Sequence, residues 1–195
     1  MAVSDMNSDQ HYFCAVSDLH KAGRLDTKLL REVPVLYRWW FPEDSAVMDI
    51  LREYARTHPE DGKMSFLLSQ LKERTLPSSR GEDKKYCALY LGKSTNGRKR
   101  FANHIKGPLD QSALRRSIRA LLRASGEMLP DAGKPVEERI SSILSDCYWE
   151  WTEMAEDPEL VDSVEIMAIS VGHYPLNIDG NHSLSEDWKL YIHNK

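Results

Sequence analysis

The sequence predicts a mixed α/β protein, and two observations carry that prediction. Runs rich in β-branched and aromatic residues at 35–41 (VLYRWWF), 86–92 (YCALYLG) and 146–154 (DCYWEWTEM) read as strands. The last of them alternates Cys147, Trp149 and Trp151 against Tyr148, Glu150 and Thr152, the pattern of a half-buried strand. Between these runs lie segments whose apolar residues recur at helical spacing. A chain of 195 residues, 41% hydrophobic and 29% charged, fits one globular domain with elaborations.

Taken in order, residues 16–32 have broken helical spacing around Leu19, Leu29 and Leu30, so residues 1–33 are expected to form a helical extension. Pro34 then opens the first strand. Early acids, with Val47, Ile50, Leu51 and Tyr54 at helical spacing, predict an amphipathic helix after residue 42. Residues 64–74 predict a second helix, and the Pro, Ser and Gly of 76–85 a loop. After the second strand, GRKRFANHIK predicts a helix starting near Asn96 or Gly97, with Gly92 allowing the sharp turn into it. Residues 111–124 place Leu114, Ile118, Leu121 and Leu122 on one side and arginines largely on the other. A flexible connection (125–135), a short helix (136–145) and the third strand follow. Residues 157–172 read as a helix with Pro in the first turn and Gly at the end, leading into the irregular turn YPLNIDGNHS.

No apolar run approaches the roughly 18 residues of a membrane span, and the polar, acidic N-terminus lacks a signal-peptide core. Cys14, Cys87 and Cys147 are odd in number and show no CxxC spacing. They read as reduced, mostly buried thiols of a cytoplasmic protein rather than a zinc site or a disulfide framework. The formal net charge is −4, yet residues 93–123 hold nine Lys or Arg against Asp110 alone. That segment is therefore +8 and the remainder −12. A concentrated basic stretch in an acidic protein suits a polyanion-binding face, and a merely solvated helix surface is the alternative.

The chemistry concentrates in ALYLGKSTNGRKRFANH, residues 88–104. Arg100 and His104 lie four apart and share a helix face, while Phe101 and Ile105 anchor the neighbouring face. Tyr90 ends the strand and Lys93 lies in the turn, so all four can meet at one strand-to-helix junction. Cations that neutralise phosphate oxygens beside a phenol and an imidazole that handle protons fit a phosphodiester-cleaving site.

These residues resemble the GIY-YIG nuclease family. Its second motif, Tyr-x-Gly, is matched by Tyr90 to Gly92, followed by Lys93, with Arg100 and His104 ten and fourteen residues after Tyr90. The family's metal-binding Glu and later Asn match Glu165 and Asn177, twelve apart. The first motif departs: Tyr37 is its best match, with Val35 in place of Gly, and Tyr86, four before Tyr90, is the rival. Choosing Tyr37 requires a helical insertion at about 42–84, which also resembles restriction-type members. The nuclease domain would then cover residues 34–195.

The resemblance implies an α+β fold with a small three-stranded antiparallel sheet flanked by helices. It also implies one divalent ion, Mg²⁺ or Mn²⁺, held by Glu165 and waters. Tyr37 or Tyr90 would serve as base or hydrogen-bond the nucleophile. Arg100 would stabilise phosphate charge, His104 would relay a proton or contact phosphate, and Asn177 would hold the turn. Arg98, Lys99, Arg115, Arg116 and Arg119 are candidate substrate contacts. The expected partner is nucleic acid, DNA before RNA, with no membrane and with a homodimer left open. The competing readings are a binding protein of the same fold that has lost cleavage, and a protein-interaction domain using its acidic surface.

Overall fold

The computed structural model of the protein describes residues 11–21, 23–26, 28–77, 83–125, 133–154, 158–177 and 184–193. The chain opens with β1 (His11–Ala15), one turn of helix α1 (Val16–Leu19) and a small hairpin of β2 (His20–Lys21) and β3 (Arg24–Leu25). Gly23 closes that hairpin at φ +80°, a region glycine enters without penalty. Next come β4 (Val35–Pro42), α2 (Ala46–Thr57), α3 (Gly62–Ser69), β5 (Glu73–Pro77) and the long β6 (Asp83–Ser94). Helix α4 (Gly97–Lys106), a short 3-10 turn (Leu109–Gln111), α5 (Ala113–Ala124) and α6 (Val136–Ser145) lead to β7 (Tyr148–Glu153). Helices α7 (Pro158–Val171) and α8 (Glu186–His193) follow.

Side-chain caps set where several helices begin. Ser45, Asp61, Asn96 and Ser112 each accept a hydrogen bond from the backbone N–H three residues on. Each cap contributes about 1 kcal/mol.

The sheet is antiparallel and has five strands in the order β1-β7-β4-β6-β5, where three were expected. The central trio β7-β4-β6 is the expected one. The additions come from segments read otherwise in the sequence. The N-terminal extension, expected to be helical, supplies β1, which pairs with β7 from His11 opposite Thr152 to Ala15 opposite Tyr148. Tyr12 stacks on Trp151 and Phe13 on Tyr148, ring centroids 4.7 and 5.0 Å apart, so aromatic cross-strand packing holds this segment, which precedes the helical spacing of 16–32, in the sheet. The helix expected over 64–74 stops at Ser69, and residues 73–77 pair with β6 instead. Both additions cover strand edges that would otherwise be open to pairing with another chain. The loop expected at 76–85, the connection at 125–135 and the turn after Asn177 lie partly outside the described residues.

Helix α8 carries no expectation from the sequence. Ser185 caps it through Trp188 N–H, acids occupy its first turn, and Trp188 is fully buried.

Two apolar clusters flank the sheet. The larger joins Tyr37, Trp39, Phe41, Leu89 and Trp149 to helix residues Leu51, Phe101, Leu114, Ile118 and Leu121. The smaller, on the opposite face, gathers Trp40, Tyr86, Ala88, Leu91 and Tyr174. There Glu150 is buried but compensated: Trp40 Nε1, Arg38, Arg74 and His11 all approach its carboxylate within 2.8–3.2 Å. Cys14, Cys87 and Cys147 are free thiols. Among the described residues no helix is long and apolar enough to cross a membrane.

One irregularity decides the site. Trp39 pairs with Tyr90 but Trp40 with Ala88, so Leu89 is an extra residue on β6. Such a bulge reverses the alternation beyond it. Leu89 and Tyr90 consequently both join the larger cluster, while Ala88 and Leu91 belong to the smaller one.

Candidate active site

Strand β4 brings Tyr37, and the bulged end of β6 brings Tyr90, to the same face of the sheet, with ring centroids 6.3 Å apart. Tyr37 stacks on Trp149 of β7 at 4.3 Å and 13°, which fixes its ring. Gly92 allows this placement: a Cβ there would lie 2.5 Å from Tyr37 Oη. Gly92 is thus required by packing inside β6, not by the turn expected there, which comes after Ser94. Tyr86, the rival to Tyr37, was expected to share a strand face with Tyr90. The bulge puts it on the opposite face, against Tyr148.

His104 projects from α4 between these rings. Its Nε2 lies 2.9 Å from Tyr37 Oη and its Nδ1 2.7 Å from Ser112 Oγ at the start of α5. The imidazole is completely buried, and burial, reinforced by Arg100 and Arg115, holds it well below its usual pKa. It is a neutral ring sealed behind Tyr37. The expected direct phosphate contact is not open to this ring, since His104 is fully buried and its Nε2 is engaged with Tyr37.

Tyr90 is the outer phenol, 8% exposed against 2% for Tyr37. Burial raises Tyr90 to about 12, Arg100 pulling it down and Glu165 pushing it up. Burial, helped by Tyr90, raises Tyr37 further. Of the two, Tyr90 is the easier to ionise. Arg100, on α4 one turn before His104, acts on both phenols and donates to Gln111 O at 3.3 Å.

Lys93 leaves β6 toward α7, where it pairs with Asp162 and with Glu165 Oε2 at 3.3 Å. Burial lowers the ammonium pKa, but these two carboxylates outweigh it and raise it. Asp162 and Glu165 are three apart on α7 and so share a helix face. Asn177 closes the rear of the site. It accepts from Leu91 N–H at 2.9 Å and donates to Leu91 C=O at 2.6 Å, as a neighbouring strand would. Leu176 N–H donates to Leu89 C=O at 3.0 Å, which also ties this segment to the bulge.

The basic segment divides. Arg115 is 3% exposed and donates to the carbonyls of His104 and Ile105 at 3.1 and 3.0 Å, capping the end of α4. Arg98 donates to Leu30 C=O and to Glu32, each at 2.8 Å, holding α4 to the segment before β4. The expectation of substrate contact is corrected for Arg115, which is engaged inside the fold, whereas the Arg98 guanidinium is a third exposed and is held at the surface by Glu32. Lys99 and Arg116 remain exposed and Arg119 half-buried. Arg116 lies close enough to the site to act on Tyr90.

Sequence reasoning missed Ser112, Trp149 and Asp162. The Ser-x-x-Arg start of α5 was a visible cap signal, and Asp162 stands at helical spacing from Glu165. Trp149 was recognised only as core. Val35, where the resemblance has Gly, faces Gly97: a Cβ on Gly97 would lie 2.8 Å from Val35 Cγ1. The missing glycine is matched across the β4–α4 contact.

Among the described residues no three His, Cys, Asp or Glu side chains form a metal cluster. Glu165 Oε1 makes no hydrogen bond to described residues, and all nearby anionic donors are oxygens. Such a set fits a hydrated hard cation held by one carboxylate and does not fit zinc.

Phenols and cations gathered about a carboxylate, at the rim of an antiparallel sheet, define a protein equipped to handle phosphodiesters. Residues 35–194 match the GIY-YIG catalytic domain, and the chain belongs to that family. This supports a nuclease-type function, that of a phosphodiesterase acting on nucleic acid. No curated protein and no solved structure shows a significant match to the chain.

Proposed function

We propose that the protein is a divalent-metal-dependent endonuclease that hydrolyses DNA phosphodiester bonds, in the manner of a restriction-type or stand-alone cytoplasmic enzyme. The observation that supports this reading best is the junction of two units. The Tyr90–Tyr37–His104 stack and the Lys93–Glu165 pair meet electrostatically at the outer phenol.

Glu165 would hold Mg²⁺ or Mn²⁺ through an ionised oxygen, and such an ion supplies charge neutralisation at the leaving oxygen. Tyr90, the outer phenol, hydrogen-bonds the attacking water, and its ionised form takes that water's proton. Arg100 stabilises the charge that accumulates on the non-bridging phosphate oxygens. Lys93 pairs with the Glu165 carboxylate and fixes its position. Lys99, Arg116 and Arg119 contact the flanking phosphates, the sequence-independent part of DNA affinity.

The test is cleavage of single- and double-stranded DNA and RNA with Mg²⁺ or EDTA, by wild type, Glu165→Ala and Tyr90→Phe. Metal-dependent cutting of DNA that both substitutions abolish is the expected result. Salt-sensitive binding without cutting in all three proteins would replace this reading with that of a binding protein on the same fold.

A further inference from the structure

We infer that Ser112 is a positioning residue for this site: its hydroxyl fixes His104 as the Nε2–H tautomer and so directs a one-way hydrogen-bond chain from Ser112 through His104 to Tyr37, the ring beside Tyr90. For its catalytic consequence this rests on the nuclease reading above. The chain itself rests on geometry alone.

The direction follows from counting hydrogens. Ser112 is fully buried, and its Oγ already accepts the Arg115 backbone N–H at 3.2 Å as the cap of α5. The hydroxyl carries one hydrogen of its own. Among the described residues, the one acceptor in reach of that hydrogen is His104 Nδ1, at 2.7 Å. Nδ1 therefore accepts, and the single proton of the neutral ring sits on Nε2. It donates to Tyr37 Oη at 2.9 Å. Tyr37, having accepted, turns its own hydrogen away from His104; the Tyr90 ring is its neighbour, with centroids 6.3 Å apart.

The reverse direction would make Ser112 Oγ accept from both nitrogens and leave its buried hydrogen without a partner. An unsatisfied buried donor disfavours that arrangement roughly 5- to 150-fold. Charge agrees with the tautomer. Arg100 on α4, Arg115 on α5 and the phenols of β4 and β6 surround the ring, and Glu165 reaches Tyr90 from α7. Among the described residues no carboxylate is hydrogen-bonded to Nδ1 to hold a proton there.

The consequence is local and specific. Tyr37, the last member of the chain, receives a hydrogen bond from the protein interior. Its hydroxyl is thereby held in one orientation, and its ring, stacked on Trp149, supports the Tyr90 phenol beside it.

The experiment is two-bond ¹H–¹⁵N correlation NMR of the full chain labelled at histidine, with His104 assigned by the signal lost in His104→Gln. The expected signature is a protonated Nε2 and an accepting Nδ1. A protonated Nδ1 overturns the inference whether or not the protein cuts DNA. Ser112→Ala is expected to lose the single-tautomer signature and lower kcat about tenfold at unchanged KM, the worth of one ordinary hydrogen bond. Ser112→Thr, which keeps the hydroxyl and the cap, is expected to restore both. A Ser112→Ala protein with wild-type kcat and an unchanged His104 spectrum also overturns the inference. Should Ser112→Ala fail to fold, the wild-type tautomer and Ser112→Thr decide it. Should the wild type fail to cut any substrate, the nuclease reading falls, and the NMR signature still tests the chain.

Discussion

Substituting Gly92 by Ala tests whether the second motif's glycine serves the Tyr37 ring. The added Cβ would meet Tyr37 Oη at 2.5 Å and Cζ at 2.6 Å, about 1 Å inside ordinary contact. Tyr37 cannot simply withdraw, because Trp149 is stacked on it at 4.3 Å and His104 holds its hydroxyl. Overpacking of this kind costs about 1–3 kcal/mol. If the ring slides enough to break its bond to His104, a buried group left unpaired adds about 1–3 kcal/mol. A total of about 2–6 kcal/mol lowers Tm by roughly 4–24 °C for a chain of this size. Urea and thermal denaturation measure it, with cleavage assayed in parallel. Tyr37→Phe should not relieve the cost, since Cζ still clashes, whereas Tyr37→Leu should make Gly92→Ala nearly neutral. A cost that is equal in the wild-type and Tyr37→Leu backgrounds would refute the reasoning, because additivity means the two residues do not meet.

Three further outcomes follow from the same geometry. Arg116→Ala should weaken DNA binding and reduce the salt slope of affinity by about one, whereas Arg115→Ala should lower stability and leave the slope unchanged; binding isotherms at several salt concentrations separate them. His104 is held well below the ordinary histidine value by burial, so the unfolded chain takes up a proton below about pH 6.5 that the folded chain refuses. Its stabilising contribution is therefore present above that pH and is lost by about 1.4 kcal/mol per unit as pH falls through the window below it; urea midpoints from pH 7 to pH 5 should show that slope, and His104→Gln should flatten it. Asn177→Ala leaves both Leu91 backbone groups unpaired in a buried position and should cost about 2–4 kcal/mol by denaturation.

Much of the central fold was legible because its signals are local. The alternation of Trp149 and Trp151 places β7, and the apolar stripe of α5 and the cap at Asn96 place their helices. The added strands were not legible, since His11–Ala15 and Glu73–Pro77 are strands only because β7 and β6 offer free edges to them. Within the site, spacing brought Tyr90, Lys93, Arg100 and His104 to attention, and the family resemblance added Glu165. It could not tell Arg115 from Arg116, one residue apart, of which one turns inward to α4 and the other outward to solvent. Nor could it foresee that His104 is sealed off, because the residues that bury it come from β4, β7 and α5. Tyr86 misled for a physical reason: a spacing of four implies a shared strand face only where no residue is inserted, and Leu89 is inserted.

The contact between Val35 and Gly97 makes two distant positions behave as one. The isopropyl group at the start of β4 occupies space that a side chain on the first residue of α4 would need, so the strand and helix approach closely only because that residue is glycine. A chain with glycine at position 35 would have room for a side chain at position 97, while a chain with bulk at both would have to push α4, and with it Arg100 and His104, away from the sheet. The departure from the first motif is thus half of an exchange, and its other half stands sixty-two residues later in the sequence.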